Sequence, residues 1–306
     1  MNWLLLFEQT LNGFQLGTLL FLLAAGLTLI FGIMDLVNLA HGSLFMMGAF
    51  FCASLADWTG SFLFGALLAV PAAIALGIVV ELVALRTLYD RNHLDQVLAT
   101  FGLILFFNEA VRIVWGSAGR AIPLPALLKT HVQILGIPYP TYRIMTISIG
   151  LLVALGLYVL IARTRLGMLI RAGATNREMV GALGVDIRLL YTLVFGLGAG
   201  LAGLAGLLTA TVQTAEIGMG EHILIPSFVV IVIGGIGSIR GSFVAAIIVG
   251  LIDTLGRSYI PDLLKLFFSE LVASTAAPAL SSMMIYLIMA IVLVLRPQGL
   301  FPAHAG

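Results

Sequence analysis

Apolar runs long enough to cross a lipid bilayer dominate this sequence. A transmembrane helix needs about 20 mostly apolar residues, and runs of this kind lie at about 11–33, 42–57, 62–85, 96–115, 144–162, 189–213, 223–257 and 280–295. Only 9% of the residues are charged and 61% are hydrophobic, whereas a soluble domain carries about 25% charged residues. The sequence therefore predicts an all-α, polytopic integral membrane bundle, formed as one transmembrane domain over residues 1–306.

The number of spans depends on one run. Residues 223–257 are too many for one straight crossing, and glycine and polar residues interrupt them between 234 and 241. This run is either one broken span or two short ones, so the sequence predicts eight spans, with nine as the alternative. Because no Lys or Arg precedes Arg86, the first run is expected to be a retained span, not a signal peptide.

Basic residues indicate which side of the membrane each loop faces. Lys and Arg are enriched in short cytoplasmic loops, and five arginines lie in the loop at 163–188. The loop after residue 85 is expected on the same side as the loop at 163–188, because two spans separate the two loops. The intervening loop at 116–143 contains four prolines and is expected to form an ordered extracytoplasmic cap.

Two polar breaks, at 35–43 and 234–242, interrupt the apolar sequence. Irregular backbone at membrane depth is tolerated only where protein or a water-filled cavity satisfies its polar groups, and interrupted helices in two halves of a chain indicate a substrate path. Interfacial turns at helix ends are the alternative interpretation. The candidate path residues are Asp35, Asn38, His41, Ser43, Gly234, Gly235, Gly237, Ser238 and Arg240.

The arginine-rich loop contains a sequence typical of a short capped helix. Thr175 and Glu178 have the spacing of a capping box, and Gly184 suits the left-handed residue that ends a helix. Met179, Val180 and Leu183 are predicted to form a small apolar side. Such a helix docks either on the membrane surface or in a cleft of a partner protein.

Four stretches in chain order resemble the branched-chain amino-acid ABC permease family, of the LivH type. They are Gly26–Gly32 with Asn38–Gly42, Arg171–Ala174 with Ala182–Val185, Gly234–Ile239 with Gly241, and Arg296–Phe301. Two positions depart from the family pattern: Ser43 stands where an acidic residue often follows the His-Gly pair, and Arg240 stands where proline is common.

The resemblance implies an importer of the bacterial inner membrane for branched-chain or related small hydrophobic amino acids. Its parts would be two permeases (a related but different chain as the second), two cytoplasmic ATPases and a periplasmic binding protein received by loops 116–143 and 258–279; no cofactor or metal is implied. The residues that would couple to an ATPase are Arg171, Thr175, Arg177, Glu178, Met179, Leu183 and Gly184.

Other function classes are weighed against this one. A permease of the same type for urea, short amides or small organic acids, and an ATP-independent secondary transporter or channel with Asp35 or His41 as proton relay, remain alternatives. The chain has two lysines, Lys129 and Lys265, and neither follows glycine as a phosphate-binding loop requires. It has no metalloprotease His pair and no nucleophile elbow. A net charge of +1 disfavours nucleic-acid binding.

Overall fold

The computed structural model describes residues 3–301, which are almost entirely helical. The described helices are α1 (Trp3–Met34), α2 (His41–Thr59), α3 (Phe62–Val80), α4 (His93–Trp115), α5 (Thr141–Arg163), α6 (Arg165–Thr175), α7 (Arg177–Ala182), α8 (Ile187–Ala210), α9 (Met219–Gly234), α10 (Ile239–Lys265) and α11 (Glu270–Leu295). A π-helical turn, Glu81–Leu85, and a 3-10 turn, Arg86–Leu88, continue α3. Another 3-10 turn, Ala126–Lys129, precedes an antiparallel hairpin of β1 (His131–Ile134) and β2 (Ile137–Pro140).

Within residues 3–301, seven helices are long and apolar enough to cross a membrane, and α9 is a shorter apolar helix of 16 residues. This confirms a polytopic helical membrane protein. Few residues of α4 and α11 are buried, and leucine, isoleucine and phenylalanine cover their outer faces. Lipid is the solvent that such faces require.

The long run at 223–257 is interrupted as predicted. Residues 235–238 separate α9 from α10, and both helices extend beyond the predicted run. The predicted loop at 258–279 is wrong, because α10 continues to Lys265 and α11 begins at Glu270. The polar residues at the end of α10 are accommodated in the helix, since Arg257 forms an ion pair with Asp253 one turn earlier (Nε–Oδ2, 2.9 Å).

Residues 22–125 and 152–225 form one compact unit. Its centre is α2, α3 and α8, whose small residues let the backbones touch. A Cβ added to Gly48 would lie 2.3 Å from Gly203, and one added to Gly77 would lie 2.2 Å from the Cβ of Ala199. Small residues at such seams allow close packing where lipid supplies no hydrophobic drive.

Residues 3–21, 126–151 and 226–301 belong to the second unit. Here the first half of α1 packs on α10, and the β-hairpin is fixed to α1. The Tyr139 hydroxyl donates to Asn12 Oδ1 (3.2 Å), and the Gln15 amide donates to the Tyr142 hydroxyl (2.7 Å). Burial raises the pKa of Tyr139, so its hydroxyl remains a donor at neutral pH. Residues 126–140 of the predicted loop 116–143 are thus ordered, and their extracytoplasmic position stays a prediction.

The segment after α11 closes the break between α9 and α10. The backbone N–H of Leu300 donates to the carbonyl of Ile233 (2.8 Å), and that of Phe301 donates to Gly234 (3.0 Å). Carbonyls in the last turn of a helix have no partner inside that helix. Gly299 makes this approach possible: an added Cβ would lie 2.5 Å from the Cα of Gly235.

This contact predicts that Gly299→Ala destabilises the protein more than Gly136→Ala. Both glycines have a positive φ (+82° and +86°), so both substitutions carry the same backbone cost of about 1–2 kcal/mol. Only Gly299 has a neighbour in the way, because no atom lies within 4 Å of a Cβ at Gly136. Thermal unfolding in detergent measures the difference, and equal losses for the two variants would contradict the contact.

Candidate functional site

The first break, residues 35–40, joins α1 to α2 within the unit formed by residues 22–125 and 152–225. Asp35 adopts φ +51°, a left-handed conformation that aspartate tolerates better than most residues. The backbone of Val37 is held by α4: its N–H donates to Gln96 Oε1 (3.3 Å), and its carbonyl accepts from Thr100 Oγ1 (3.5 Å). Protein groups thus satisfy the irregular backbone here, as a hydrocarbon environment demands.

Asn38 and His41 are the unusual residues of this break. Both side chains are fully buried; within residues 3–301 the Asn38 amide makes no hydrogen bond, and the His41 ring has only a weak contact with the backbone of Leu23. The His41 ring lies against α1, since a Cβ added to Gly26 would be 2.9 Å from its Nε2. Leaving a buried polar group unpaired costs about 1–3 kcal/mol. Such a cost is typical of sites where function opposes stability.

The other candidates of the first break are placed differently from one another. Ser43 is buried in the first turn of α2, two residues after His41. Asp35 is exposed. The structure therefore brings Asn38, His41 and Ser43 into one buried segment and leaves the Asp35 side chain outside it.

The second break, residues 235–238, is a tight turn. Gly235 and Gly237 have φ values of +103° and +82°, and Ser238 caps α10 by accepting from the N–H of Gly241 (3.1 Å). Gly234 packs against Gly241, and Arg240 is exposed in the first turn of α10.

The position of this turn relative to α11 favours one of the two interpretations. The turn pairs with the segment that directly follows α11, a helix of 26 residues, which at 1.5 Å per residue is about 39 Å long. A turn beside the end of such a helix lies near a membrane face. This favours an interfacial turn for residues 234–240, and their part in a translocation path stays a prediction.

The arginine-rich loop folds into α6 and α7, and its capping differs from the prediction. Asn176 Oδ1 accepts from the N–H of Met179 (2.9 Å) and caps α7. Thr175 is the last residue of α6, where its hydroxyl donates to the carbonyl of Arg171 (3.0 Å). The predicted capping box of Thr175 and Glu178 is therefore wrong, because asparagine is an equally good cap and Thr175 is still helical. Gly184 is left-handed as predicted (φ +88°).

The exposed side of this loop combines apolar and charged residues. Met179 and Leu183 are 59% and 77% exposed, whereas Val180 is buried against the protein's own fold. The predicted apolar side is thus divided between an inner and an outer surface. We call Arg177, Glu178, Met179 and Leu183 the coupling face, after the role that the family resemblance predicts for them; Arg171, one helix earlier, is also exposed.

A buried carboxylate at the end of α3 was missed by sequence reasoning. Glu81 is completely buried and accepts hydrogen bonds from Arg86, Tyr89 and Thr192. Burial, followed by the bond to Glu81, raises the pKa of Tyr89, so its hydroxyl stays a donor at physiological pH. A single acidic residue near the end of the apolar run 62–85 was the available signal, because ionisable residues in spans are costly and mark functional positions.

Comparison with known proteins agrees with the family resemblance found in the sequence. Residues 9–293 match the family model described as branched-chain amino acid transport system / permease component. This chain belongs to that family. The chain is thus a transport permease component and a multi-pass membrane protein, and the resemblance found in the sequence is confirmed.

Three relatives illustrate the similarity. The high-affinity branched-chain amino acid transport system permease protein BraD of Pseudomonas aeruginosa is 32% identical, over 84% of this chain and 88% of the relative. The corresponding LivH of Escherichia coli is 29% identical, over 85% and 88%. A probable branched-chain amino acid transport permease protein LivH of Methanocaldococcus jannaschii is 27% identical, over 80% and 79%. No solved structure matches the chain significantly.

The unpaired amide of Asn38 predicts opposite effects on stability and transport. Asn38→Leu removes two buried polar atoms without partners, so the free energy of unfolding should rise by about 1 kcal/mol, while transport should fall. Gln15→Leu is the control, because Gln15 is buried but hydrogen-bonded to Tyr142, and its loss should lower stability. Thermal unfolding and uptake in proteoliposomes measure both quantities. An Asn38→Leu protein that is less stable than the parent would show that the amide has a partner.

Proposed function

We propose that this chain is the permease subunit of an ABC importer in the bacterial inner membrane. It passes branched-chain amino acids, delivered by a periplasmic binding protein, to the cytoplasm, and separate ATPase subunits drive the transfer. The family match over residues 9–293 carries this proposal. The relatives' names support the substrate class, at 29–32% identity for BraD and the E. coli LivH.

Energy must come from partner chains. Neither lysine of this chain follows a glycine, so the sequence has no phosphate-binding loop of the P-loop type. The coupling face supplies a docking surface for an ATPase: Met179 and Leu183 would be buried in its groove, while Arg177 and Arg171 would meet acidic residues at the rim. Apolar anchors surrounded by charges are typical of protein interfaces.

Asn38, His41 and Ser43 form the proposed polar part of the translocation path. Within residues 3–301 the Asn38 amide is unpaired and the His41 ring has only a weak contact with the backbone of Leu23, so both can bond to water or to a passing amino acid when the path opens. Most selectivity would lie on the binding protein, since a permease that bound its substrate tightly would release it slowly. The whole chain then acts as one transmembrane domain, with residues 163–188 as its coupling loop.

A topology with nine membrane crossings agrees with the distribution of basic residues along the chain. If α1, α2, α3, α4, α5, α8, α9, α10 and α11 all cross, the coupling loop and the C-terminus share the cytoplasmic side. Nine of the 15 basic residues then face the cytoplasm, in agreement with the positive-inside rule. These nine are Arg86, Arg91, Arg163, Arg165, Arg171, Arg177, Arg188, Arg240 and Arg296.

The coupling face predicts that Met179→Ser combined with Leu183→Ser abolishes ATP-driven transport without unfolding the protein. Both side chains are exposed, so stability should change by less than about 0.5 kcal/mol, while co-purification with the ATPases is lost. Leu127→Ser is the control, because Leu127 is also largely exposed (80%) and lies on the predicted extracytoplasmic side. Uptake of labelled leucine by the complex in proteoliposomes, with binding protein and ATP, is the measurement.

Two outcomes would contradict the proposal. Uptake of leucine driven by an ion gradient without the ATPases would indicate a secondary transporter. Uptake of urea or acetamide in preference to leucine, with the matching binding protein, would change the substrate class. If the double variant still binds the ATPases and transports normally, the docking surface lies elsewhere.

Cysteine labelling should determine the topology. The chain's one cysteine, Cys52, is buried and should not react with a membrane-impermeant maleimide, so single substitutions can be read directly. Gln133→Cys, in the exposed strand β1, should react in intact spheroplasts, whereas Arg91→Cys and Gln298→Cys should react only after permeabilisation. Labelling of Gln298→Cys from outside would show that α9 does not cross and that the spans number eight.

A further inference from the structure

The buried carboxylate of Glu81 is fully hydrogen-bonded. Its Oε1 accepts from the Tyr89 hydroxyl (2.5 Å) and from Arg86 Nε (3.1 Å). Its Oε2 accepts from Arg86 Nη2 (3.2 Å). The Thr192 hydroxyl lies 2.9 Å from Oε2 and 3.0 Å from the Arg188 carbonyl one turn earlier, and the charged carboxylate is the stronger acceptor of its one proton. Arg86 Nη2 also donates to Thr192 Oγ1 (2.8 Å). We call these four residues the Glu81 network; it joins the end of α3 to the start of α8.

The network lies next to the coupling loop in the chain and in space. Thr192 is in the second turn of α8, whose first turn is capped by Asp186. The coupling loop touches the same part of α8: a Cβ added to Gly173 of α6 would lie 3.4 Å from Leu190. Tyr89 packs edge-to-face on Tyr191, with ring centroids 5.2 Å apart. A displacement of α6 and α7 therefore acts directly on the turn that carries Thr192.

A π-helical turn determines where the Glu81 side chain lies relative to Arg86. The π-helical turn begins at Glu81, and its N–H lies within reach of the carbonyls of both Gly77 and Ile78. Single π-turns inside α-helices are rare and are frequent at functional sites. If residues 81–86 formed an ordinary α-helix, the Arg86 side chain would point in a different direction about the helix axis relative to Glu81. The π-turn therefore sets the geometry of the network.

Stability alone does not account for a buried charge here. Well-packed apolar side chains often stabilise a protein as much as a buried ion pair does. Apolar helix faces in lipid have no hydrophobic drive to stay together, whereas hydrogen bonds to a charge are strong and directional. A network of this kind holds two helix ends in one relative position, which a transmission element requires.

We propose that the Glu81 network makes α3 follow α8 when an ATPase moves the coupling face, with Glu81 and Thr192 as positioning residues. This inference rests on the proposed importer function. Below the network, Gly77 packs on Ala199 and Gly196 packs on Ile78, so α3 and α8 move as one body once their ends are joined. Without the network, the ends of α3 and α8 nearest the coupling loop lose their polar link, so the end of α8 can shift relative to α3 before the seam below responds.

Thr192→Val tests the link with little change of shape. Valine keeps the branched side chain but removes the hydroxyl that donates to Glu81. Thr192→Ser restores the hydroxyl and should restore the parent's behaviour. Thr209→Val is the matched control, because Thr209 lies in the same helix and its hydroxyl donates to the helix's own Ala205 carbonyl. Glu81→Gln is a stronger variant, since an amide N–H would face the donors of Arg86 and Thr192.

The measured quantity is the amount of leucine transported per ATP hydrolysed by the complete complex in proteoliposomes, with the melting temperature as a second readout. In Thr192→Val this ratio should fall about tenfold, the effect of losing one hydrogen bond to a charged group. ATP hydrolysis itself should continue, because the coupling face is intact. Thr192→Ser and Thr209→Val should keep the parent's ratio.

Each outcome decides a different point. An unchanged ratio in both Thr192→Val and Glu81→Gln overturns the link, and so does an equal fall in Thr209→Val. A lower melting temperature with an unchanged ratio shows that the network only stabilises the fold. If the parent complex shows no ATP-dependent transport at all, the proposed function fails and the network is not at fault.

Discussion

Hydrocarbon offers no hydrogen bonds, so each backbone amide and carbonyl inside the bilayer needs a partner within the protein. Long helices meet this need by themselves, and the chain leaves the helix only where other residues supply partners. At the first break, Gln96 and Thr100 of α4 hold the backbone of Val37. At the second, the N–H groups of Leu300 and Phe301 reach the last carbonyls of α9. The breaks are therefore completed by distant parts of the chain.

This requirement explains what the sequence could predict and what it could not. The spans follow from apolar runs, and the interruption near Gly235 follows from glycines inside such a run, because both signals are local. The pairing of Leu300 with Ile233 joins residues far apart in sequence, so no local pattern contains it. The extension of α10 to Lys265 was missed because its polar residues indicate a loop, although Asp253 and Arg257 satisfy each other on the helix surface.

In the coupling loop, two neighbouring residues are suitable helix caps, so a local sequence pattern does not identify which of them caps α7. Thr175 and Asn176 are both good helix caps, and the choice depends on where α6 ends. Since α6 includes Thr175, the cap moves to Asn176 and the helix α7 begins one residue later. The exposed character of Met179 and Leu183 survives this shift, because it depends on which face of α7 packs on the protein. The exposure of these two residues was thus predictable where the capping was not, and the coupling role of the loop stays a prediction.

Buried polar groups occur here in two states that imply different roles. The Glu81 carboxylate has all its partners, so it gives α3 and α8 a fixed relation at the end nearest the coupling loop. Among the described residues the Asn38 amide has none and the His41 ring has only a weak contact with the backbone of Leu23, so both favour any conformation or ligand that supplies partners. These groups are connected through packing: α8 touches α3 and α2, and α2 begins at His41. The close approach of Gly48 to Gly203 therefore joins α8 to the helix that begins at His41.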